Sequence, residues 1–181
     1  DGTHSNCTIT ITDLAGHVSN SVTIPTFILD STAATLEEIT GISATSDTTP
    51  DYTFSSSEVG AITYGGSCYS STTSATTDNN TITLNSLSEG TYSDCTITVT
   101  DNFSNSVTLN ISSFVIDTTG PTVTSVSTTA NNQSSVAITD NIKITFSEAM
   151  DTTTVTINTS NTTCSGTLRV SSNNFNNCVQ M

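Results

Sequence analysis

Four stretches of the chain alternate an apolar residue with threonine or another polar residue. In residues 95–100 (CTITVT) one face is apolar and the other is all threonine, and the same period of two recurs in residues 81–84, 107–111 and 142–146. Successive side chains of a β-strand point to opposite faces of a sheet, so this alternation predicts half-buried strands. No stretch has the 3.6-residue period of an amphipathic helix.

Turn-forming residues separate these stretches. Thr-Pro-Asp occurs at 49–51, Gly-Gly at 65–66, Asp-Asn-Asn at 78–80 and Ser-Glu-Gly at 88–90. Proline fixes φ, glycine permits a positive φ, and asparagine and aspartate bond to their own backbone, so each cluster favours a chain reversal. Many short strands with frequent turns predict an all-β fold, an antiparallel β-sandwich.

The chain contains nearly the same phrase twice. Residues 7–36 align with residues 95–123 with one residue of length difference, and Cys7 and Cys95 lie 88 positions apart at the same place in the phrase. A period of this length is too long for one rung of a solenoid and suits a whole small β-sandwich. The sequence therefore predicts a repeat array.

The repeat divides the chain into three pieces. We expect residues 1–30 to hold the C-terminal strands of a truncated repeat, residues 31–117 a complete domain, and residues 118–181 the N-terminal part of a further domain. The complete domain is expected to have seven strands, beginning near Leu36, Tyr52, Ala61, Thr72, Thr81, Tyr92 and Asn105. The third piece is expected to have strands near Val123, Ile142, Val155 and Thr167.

The charge of the chain limits its partners. Sixteen acidic side chains and only two basic ones, Lys143 and Arg169, give a formal charge of -14 over 181 residues. Binding to nucleic acid or to an anionic membrane needs clustered Lys and Arg, so we expect neither. No apolar run is long enough for a membrane span. A strongly negative surface instead attracts divalent cations.

Four longer stretches carry a family resemblance. TPDYTFSSSEVGAITYGGSC (49–68), NTITLNSLSEGTYSDCTITVTD (80–101) and FVIDTTGPTVTSV (114–126) resemble the bacterial Ig-like repeats of large secreted surface proteins. DNIKITFSEAMDTTTV (140–155) is similar to a second Ig-like class, found in bacterial surface and S-layer proteins. The resemblance implies tandem Ig-like antiparallel β-sandwiches in an elongated array, and an extracellular or cell-surface location.

Five cysteines in a polar, acidic chain indicate an oxidising compartment. Cys68 would end the third strand and Cys95 would lie in the sixth, and these strands are neighbours in this topology, so we pair them. Closing a loop of 27 residues would stabilise the domain by about 3 kcal/mol. Cys164 and Cys178 form a second expected pair. Cys7 has the position of Cys95, so its partner is expected upstream of residue 1 and Cys7 is unpaired within these residues. Free structural thiols are the alternative, and the C-x-x-C motif of a zinc site is absent from the sequence.

Carboxylates at the expected domain junction suggest calcium. Asp30 ends the phrase FILD, Glu58 follows the second strand and Asp101 follows the sixth. In a sandwich of this order both turns lie at the pole where the preceding domain enters, so the three side chains are expected to converge. Hard cations take six to eight oxygens, which backbone carbonyls and water would complete.

A second set repeats this arrangement at the next junction. Asp117 ends the phrase FVID, and Glu148 and Asp151 follow the second expected strand of the third piece. Calcium in either set would stiffen the array and remove like-charge repulsion. The alternative is that all six residues are turn-favouring acids, solvated and unpaired.

Catalysis is not expected. His4 and His17 do not recur in the second copy, where Tyr92 replaces His4 and residues 102–104 replace the His17 loop. The abundant serines carry no G-x-S-x-G motif, and the acids form no recognisable glycosidase pair. We therefore expect surface histidines and no enzyme.

The resemblance implies a structural segment, namely a stalk, filament or adhesin shaft, whose partners are neighbouring Ig-like domains or copies of the same chain. One alternative is a subunit of a polymeric fibre that assembles by strand complementation between chains. Another is a carbohydrate-binding module, for which the chain offers Tyr52, Tyr64, Tyr69 and Tyr92 as aromatic contacts.

Overall fold

The computed structural model describes residues 1–128, 141–159, 163–170 and 178. They belong to two compact units, Asp1–Thr118 and Thr119–Met181. All regular elements of these residues are β-strands. The described residues therefore contain no helix that could cross a membrane. The prediction of an all-β, Ig-like antiparallel fold is confirmed.

The first thirty residues form two short antiparallel pairs. Strand β1 (Gly2–His4) pairs with β4 (Phe27–Leu29), and β2 (Thr8–Ile9) pairs with β3 (Val22–Thr23). Almost every residue in this part of the chain is exposed.

The next nine strands form the sandwich, and they are β5 (Leu36–Thr40), β6 (Asp51–Ser56), β7 (Gly60–Gly65), β8 (Ser74–Ala75), β9 (Asp78–Thr83), β10 (Gly90–Tyr92), β11 (Thr96–Thr100), β12 (Ser106–Asn110) and β13 (Phe114–Ile116). One sheet has the order β5-β6-β9, a second has the order β12-β11-β7-β8, and β10 pairs with β13. Every one of these pairs is antiparallel.

The expectation of seven strands was wrong in one respect. The strands expected near Tyr92 and near Asn105 are each divided in two, because β10 and β13 pair with each other while β11 and β12 belong to the four-stranded sheet. The chain passes between the β10–β13 pair and the four-stranded sheet at residues 93–95 and 111–113, which we call the crossings. The N–H of Ile111 donates to the carbonyl of Cys95 at 3.0 Å and joins the two crossings. The crossings carry no proline or glycine, so the sequence gives no sign of them.

The core lies between the two larger sheets. Alternate residues of β11 point inward, so Ile97 and Val99 are fully buried, while Thr98 faces outward and its hydroxyl lies 2.7 Å from that of Thr108 on β12. The other inward side chains of the core cluster come from both sheets, from the crossing at Ile111 and from β13, and they are chiefly Tyr52, Phe54, Ile62, Ile82, Leu84, Ile111, Phe114 and Ile116. Burial of these side chains is the main source of stability of the first unit.

A disulfide joins the two central strands of the four-stranded sheet. Cys68 follows β7, Cys95 precedes β11, and the bonded pair is buried with a Cα–Cα distance of 5.2 Å. In the second unit Cys164 is bonded to Cys178. Cys7 is a free, half-buried cysteine. These are the pairs and the unpaired residue expected from the sequence.

Among the described residues of the second unit, β14 (Val123–Thr128) pairs antiparallel with β15 (Ile142–Phe146), with a register shift between Val123 and Ser125. Near the strands expected at Val155 and Thr167, the described residues have only a parallel bridge between Ile157 and Leu168. Two backbone N–H groups, of Thr167 and Leu168, both donate to the Thr156 carbonyl, which bends the chain here instead of extending a ladder.

The strand pairs of the first thirty residues repeat those of residues 89–117. Gly2 pairs with Leu29 as Gly90 pairs with Ile116, and each partner is displaced by 88 or 87 positions. The β2–β3 pair likewise has the register of β11–β12. A ring stack is also repeated, with His4 on Phe27 at 5.0 Å and Tyr92 on Phe114 at 5.2 Å. His4 therefore has the packing role of Tyr92.

The turn between the repeated strands is also the same. Asp13 accepts the N–H of His17 at 2.9 Å, and Asp101 accepts the N–H of Asn105 at 2.9 Å. The His17 ring nitrogen lies 3.0 Å from the second oxygen of Asp13, where the Asn105 amide donates to Asp101 at 2.9 Å. His17 thus corresponds to Asn105, the residue that follows residues 102–104 in the turn of the second copy.

The carboxylate of Glu38 on β5 is hydrogen-bonded both to β6 and to the crossing before β13. The Tyr52 hydroxyl donates to Glu38 at 3.1 Å, and the Ser112 N–H donates to the same oxygen at 2.9 Å. Desolvation opposes ionisation of Glu38, but the Ser112 and Tyr52 donors hold its pKa below the ordinary 4.5. Burial, together with Glu38, raises the pKa of Tyr52 well above its ordinary value, so Tyr52 remains a donor.

We predict that replacing both Cys68 and Cys95 by alanine lowers the free energy of unfolding of the first unit by about 3 kcal/mol, since the bond closes a 27-residue loop. Urea unfolding followed by tyrosine fluorescence measures the change. The matched control replaces Cys164 and Cys178, which belong to the second unit, and should leave this transition in place. An unchanged midpoint for the Cys68/Cys95 variant would show that the bond does not stabilise the fold.

We predict that Glu38→Gln destabilises the first unit by about 1 kcal/mol at neutral pH, because it weakens two hydrogen bonds to a charged acceptor. The folded pKa lies below the unfolded value of 4.5, so this contribution is present above that pH and is lost as pH falls through the folded pKa. Unfolding curves between pH 7 and pH 3 measure it, with the exposed neighbour Glu37→Gln as control. Equal losses at both ends of the range would contradict the assignment.

Candidate functional site

Three carboxylates meet at one end of the sandwich. Asp30 precedes β5, Glu58 lies in the turn between β6 and β7, and Asp101 begins the turn between β11 and β12. One carboxylate oxygen from each lies within 4.8 Å of the other two, and all three residues are half-buried. The structure thus brings together the first set of acids singled out in the sequence.

Asn105 fixes two of the three residues relative to each other. Its side-chain amide donates to the Asp101 carboxylate at 2.9 Å and to the Asp30 backbone carbonyl at 3.2 Å. The other Asp101 oxygen accepts the N–H groups of Phe103 at 2.7 Å and Asn105 at 2.9 Å. Asp101 is therefore held by its own turn, and that turn is bonded to the chain at Asp30.

Glu58 is placed by its backbone. The Ser56 hydroxyl donates to the Glu58 carbonyl at 2.6 Å, and the Ser57 N–H donates to the Thr35 carbonyl at 3.0 Å. These bonds fix the short turn that carries the Glu58 side chain. Asp30 in turn accepts the N–H of Thr32 at 3.1 Å through one oxygen.

The acids line an open pocket of about 290 Å³, whose lining residues are Asp30, Ser57, Glu58, Val59, Thr77, Asp101, Asn102 and Phe103. A water molecule takes about 30 Å³ in the liquid, so the pocket has room for a cation with several of its waters. Its lining residues include hydroxyl and carboxylate side chains, and oxygen atoms are the ligands that Ca²⁺ takes.

The electrostatics of this pocket favour a cation. Hydrogen bonding from the Asn105 amide lowers the pKa of Asp101 against partial desolvation, and backbone donors from Asn105 and Phe103 lower it further. Residues 1–118 contain no Lys and no Arg. Since the unit has no basic side chain of its own near this cluster, a cation from solution is the available source of neutralising charge.

The second set of acids is divided between the two units. Asp117 belongs to the first unit, and its N–H donates to the Thr45 carbonyl at 2.9 Å. Glu148 and Asp151 belong to the second unit, where Asp151 accepts the N–H and the hydroxyl of Thr153 at 2.9 and 2.7 Å. These Thr153 donors lower the pKa of Asp151. That the three converge stays a prediction.

An acid at the start of each copy of the repeat accepts hydrogen bonds from the segment that follows that copy, which the sequence analysis did not predict. Asp1 accepts the N–H and the hydroxyl of Ser31 at 2.9 and 2.7 Å, and Glu89 accepts the N–H and the hydroxyl of Thr118 at 3.3 and 2.9 Å. The signal was present, because each acid precedes the glycine that opens its copy of the repeat. The segment that follows each repeat is thus bonded back to it.

The tyrosines do not form a platform for sugars. Tyr52 is fully buried in the core, Tyr64 and Tyr92 are half-buried against it, and only Tyr69 is exposed. Sugar rings stack on exposed aromatic faces, which these side chains do not offer together. The arrangement gives no support to the carbohydrate-binding alternative.

Residues 117–178 match the family model described as a bacterial Ig-like domain. The match covers 62 of the 181 residues, about a third of the chain. It is consistent with the resemblance seen in the sequence to Ig-like domains of bacterial surface proteins. Comparison with curated proteins and with solved structures gave no match.

Proposed function

We propose, from the bacterial Ig-like match of residues 117–178, that this chain is a structural segment of an extracellular bacterial surface protein, namely a stalk, filament or adhesin shaft of tandem Ig-like sandwiches that transmits force. The observation that carries the proposal is the repetition of one sandwich edge at a distance of 87 to 88 residues, with the same strand registers, turn and ring stack. A unit repeated with the same edges suits end-to-end threading in a shaft.

Backbone pairing near the end of the first unit supports a mechanical role. Thr45 forms a parallel bridge with Ile116: its N–H donates to the Val115 carbonyl at 3.1 Å, and its carbonyl accepts the Asp117 N–H at 2.9 Å. When force is applied to the chain before Thr45 and after Asp117, it pulls these parallel segments in opposite directions. The two bonds are then loaded together in shear and do not open one after the other.

The disulfide supports the same role. Cys68 and Cys95 lie 27 positions apart in the sequence and join strands β7 and β11, so the segment between them is withheld from extension when the unit unfolds under force. If an unfolded unit lengthens only a little, the shaft as a whole keeps nearly its original length. The bond also agrees with an oxidising, extracellular environment.

We propose calcium at the Asp30, Glu58 and Asp101 cluster. Three carboxylates within 4.8 Å of one another repel each other unless a cation lies between them. Backbone carbonyls and water would complete the six to eight oxygens that Ca²⁺ takes. Because Asp30 lies where the first thirty residues meet β5, the ion would stiffen that connection.

We predict that reduction of the disulfides lengthens the extension released when the first unit is pulled open by about 90 Å, from 27 residues at about 3.4 Å each. Single-molecule pulling of the full chain by its two ends, with and without reductant, measures this. The Cys68→Ala/Cys95→Ala chain is the control and should show the long extension without reductant. A first unit that opens at forces indistinguishable from thermal noise would contradict the proposal that the chain transmits force.

We predict that calcium raises the thermal midpoint of the first unit, by the equivalent of about 1.4 kcal/mol when its concentration is ten times the Kd. Melts with calcium and with a chelator measure the difference. Glu58→Gln should abolish the calcium response and, in chelator, melt no lower than the original chain, because one repelling charge is gone. Glu37→Gln, an exposed acid outside the cluster, should respond like the original chain.

An unchanged midpoint for the original chain would leave the three acids as solvated turn residues. This outcome would remove calcium from the account without touching the shaft proposal, which depends on the repeated strand pairs.

A further inference from the structure

One apolar face of the first thirty residues has no covering layer in the part of the chain that the structure describes. Ile9 is 53% exposed and Leu29 is 52% exposed, whereas their equivalents Ile97 and Ile116 are fully buried. The other large apolar side chains of this face are Ile11, Val22 and Phe27, and all are more than 40% exposed. Isolated apolar side chains on a surface are ordinary, but a contiguous apolar face marks a place of contact.

The second copy shows what covers such a face. Strand β7 pairs along β11 from Thr96 opposite Gly65 to Thr100 opposite Ala61. It brings Ile62 into the core against the inward side chains of β11. Within the described residues, β2 pairs only with β3, so the edge of β2 that corresponds to the β7 side of β11 is free.

Cys7 lies at the position of the bonded cysteine of the second copy. The Ile24 N–H donates to the Cys7 carbonyl at 2.8 Å, as the Ile111 N–H donates to the Cys95 carbonyl at 3.0 Å. Cys95 is bonded to Cys68, three residues after β7, whereas Cys7 is free and half-buried. In the second copy one segment, residues 60–68, supplies both the strand partner of β11 and the sulfur partner of Cys95.

The covering strand needs glycine after its apolar residues. Gly66 has a positive φ of 73°, and a Cβ added there would collide with the backbone carbonyl of Asp94, next to Cys95. A Cβ on Gly65 would meet the Thr96 hydroxyl at 2.5 Å, but that is a movable side chain, so the requirement for glycine lies mainly at Gly66. Asn6 and Thr8 occupy the corresponding positions beside Cys7, so the same close approach applies there.

We propose that the face formed by β1–β4 and β2–β3 is an acceptor for an extended strand of the Gly-Gly-x-Cys type, like residues 60–68 of this chain. The strand pairs antiparallel along the free edge of β2 and places its alternate apolar side chains over Ile9 and Ile11. Its cysteine bonds to Cys7. The proposal rests on the pairing seen in the second copy and does not depend on the shaft function or on calcium.

The covalent step is a thiol–disulfide exchange. The Cys7 thiolate attacks a mixed disulfide that the donor cysteine carries with a small thiol such as glutathione. The Cys7–donor S–S bond forms as the mixed bond breaks, and glutathione leaves as a thiolate that takes up a proton. No net oxidation is required, because the oxidising equivalent arrives with the donor.

The test uses the full chain and a synthetic peptide with the sequence of residues 58–69, whose cysteine carries glutathione. We expect an adduct at Cys7, mapped by mass spectrometry, that forms about tenfold faster than with a scrambled peptide holding its cysteine at the same place, because pairing raises the local concentration of the sulfur. A peptide with Gly65→Ala and Gly66→Ala should react at the scrambled rate.

A second measurement separates pairing from sulfur chemistry. With the Cys7→Ser chain and the Cys68→Ser peptide, hydrogen exchange at residues 8–12 should slow when the peptide is added, and no adduct should form. Equal reaction rates for the original and scrambled peptides would overturn the proposal. So would preferential formation of a Cys7–Cys7 dimer of the chain, which would identify a second copy as the occupant.

Discussion

The register of antiparallel pairing in β10–β13 and in β11–β12 is the constraint on which the rest depends. Alternation of apolar residues and threonine fixes that register, because a slip of one residue would turn Ile97 and Val99 out of the core and put Thr98 into it. The same register in β1–β4 and in β10–β13 makes the first thirty residues equivalent to residues 89–117. The disulfide, the Asp101 turn and the Glu89 contact with Thr118 all take their positions from it.

Charge acts on this scaffold as a second constraint. A unit with no Lys and no Arg satisfies its acids with backbone N–H groups, hydroxyls and amides. Glu38 holds the crossing before β13, Asp101 holds its turn, and Asp1 and Glu89 hold the segments that follow the repeats. Among the residues that the structure describes, three acids gather only at Asp30, Glu58 and Asp101, and this is why the proposed cation belongs there. Structure and proposed function thus follow from the same composition.

The sequence predicted the fold class because period-two alternation and turn residues are local signals. It placed Asp30, Glu58 and Asp101 together because strand order decides which turns share a pole. It missed the division of two strands at residues 93–95 and 111–113, since pairing with β13 and β10 is non-local and leaves the alternation without a glycine or proline mark. It also missed the Asp1 and Glu89 contacts, which depend on hydrogen bonds across about thirty residues.

Equivalence of the two copies is the central claim, and NMR scalar couplings through hydrogen bonds test it most directly. The account predicts couplings from the Ile24 amide to the Cys7 carbonyl and from the Ile111 amide to the Cys95 carbonyl, which are bonded at 2.8 and 3.0 Å. Observing both would establish one pairing register in two places. A register shifted by one residue in either copy, or an Ile24 amide bonded elsewhere, would contradict the account.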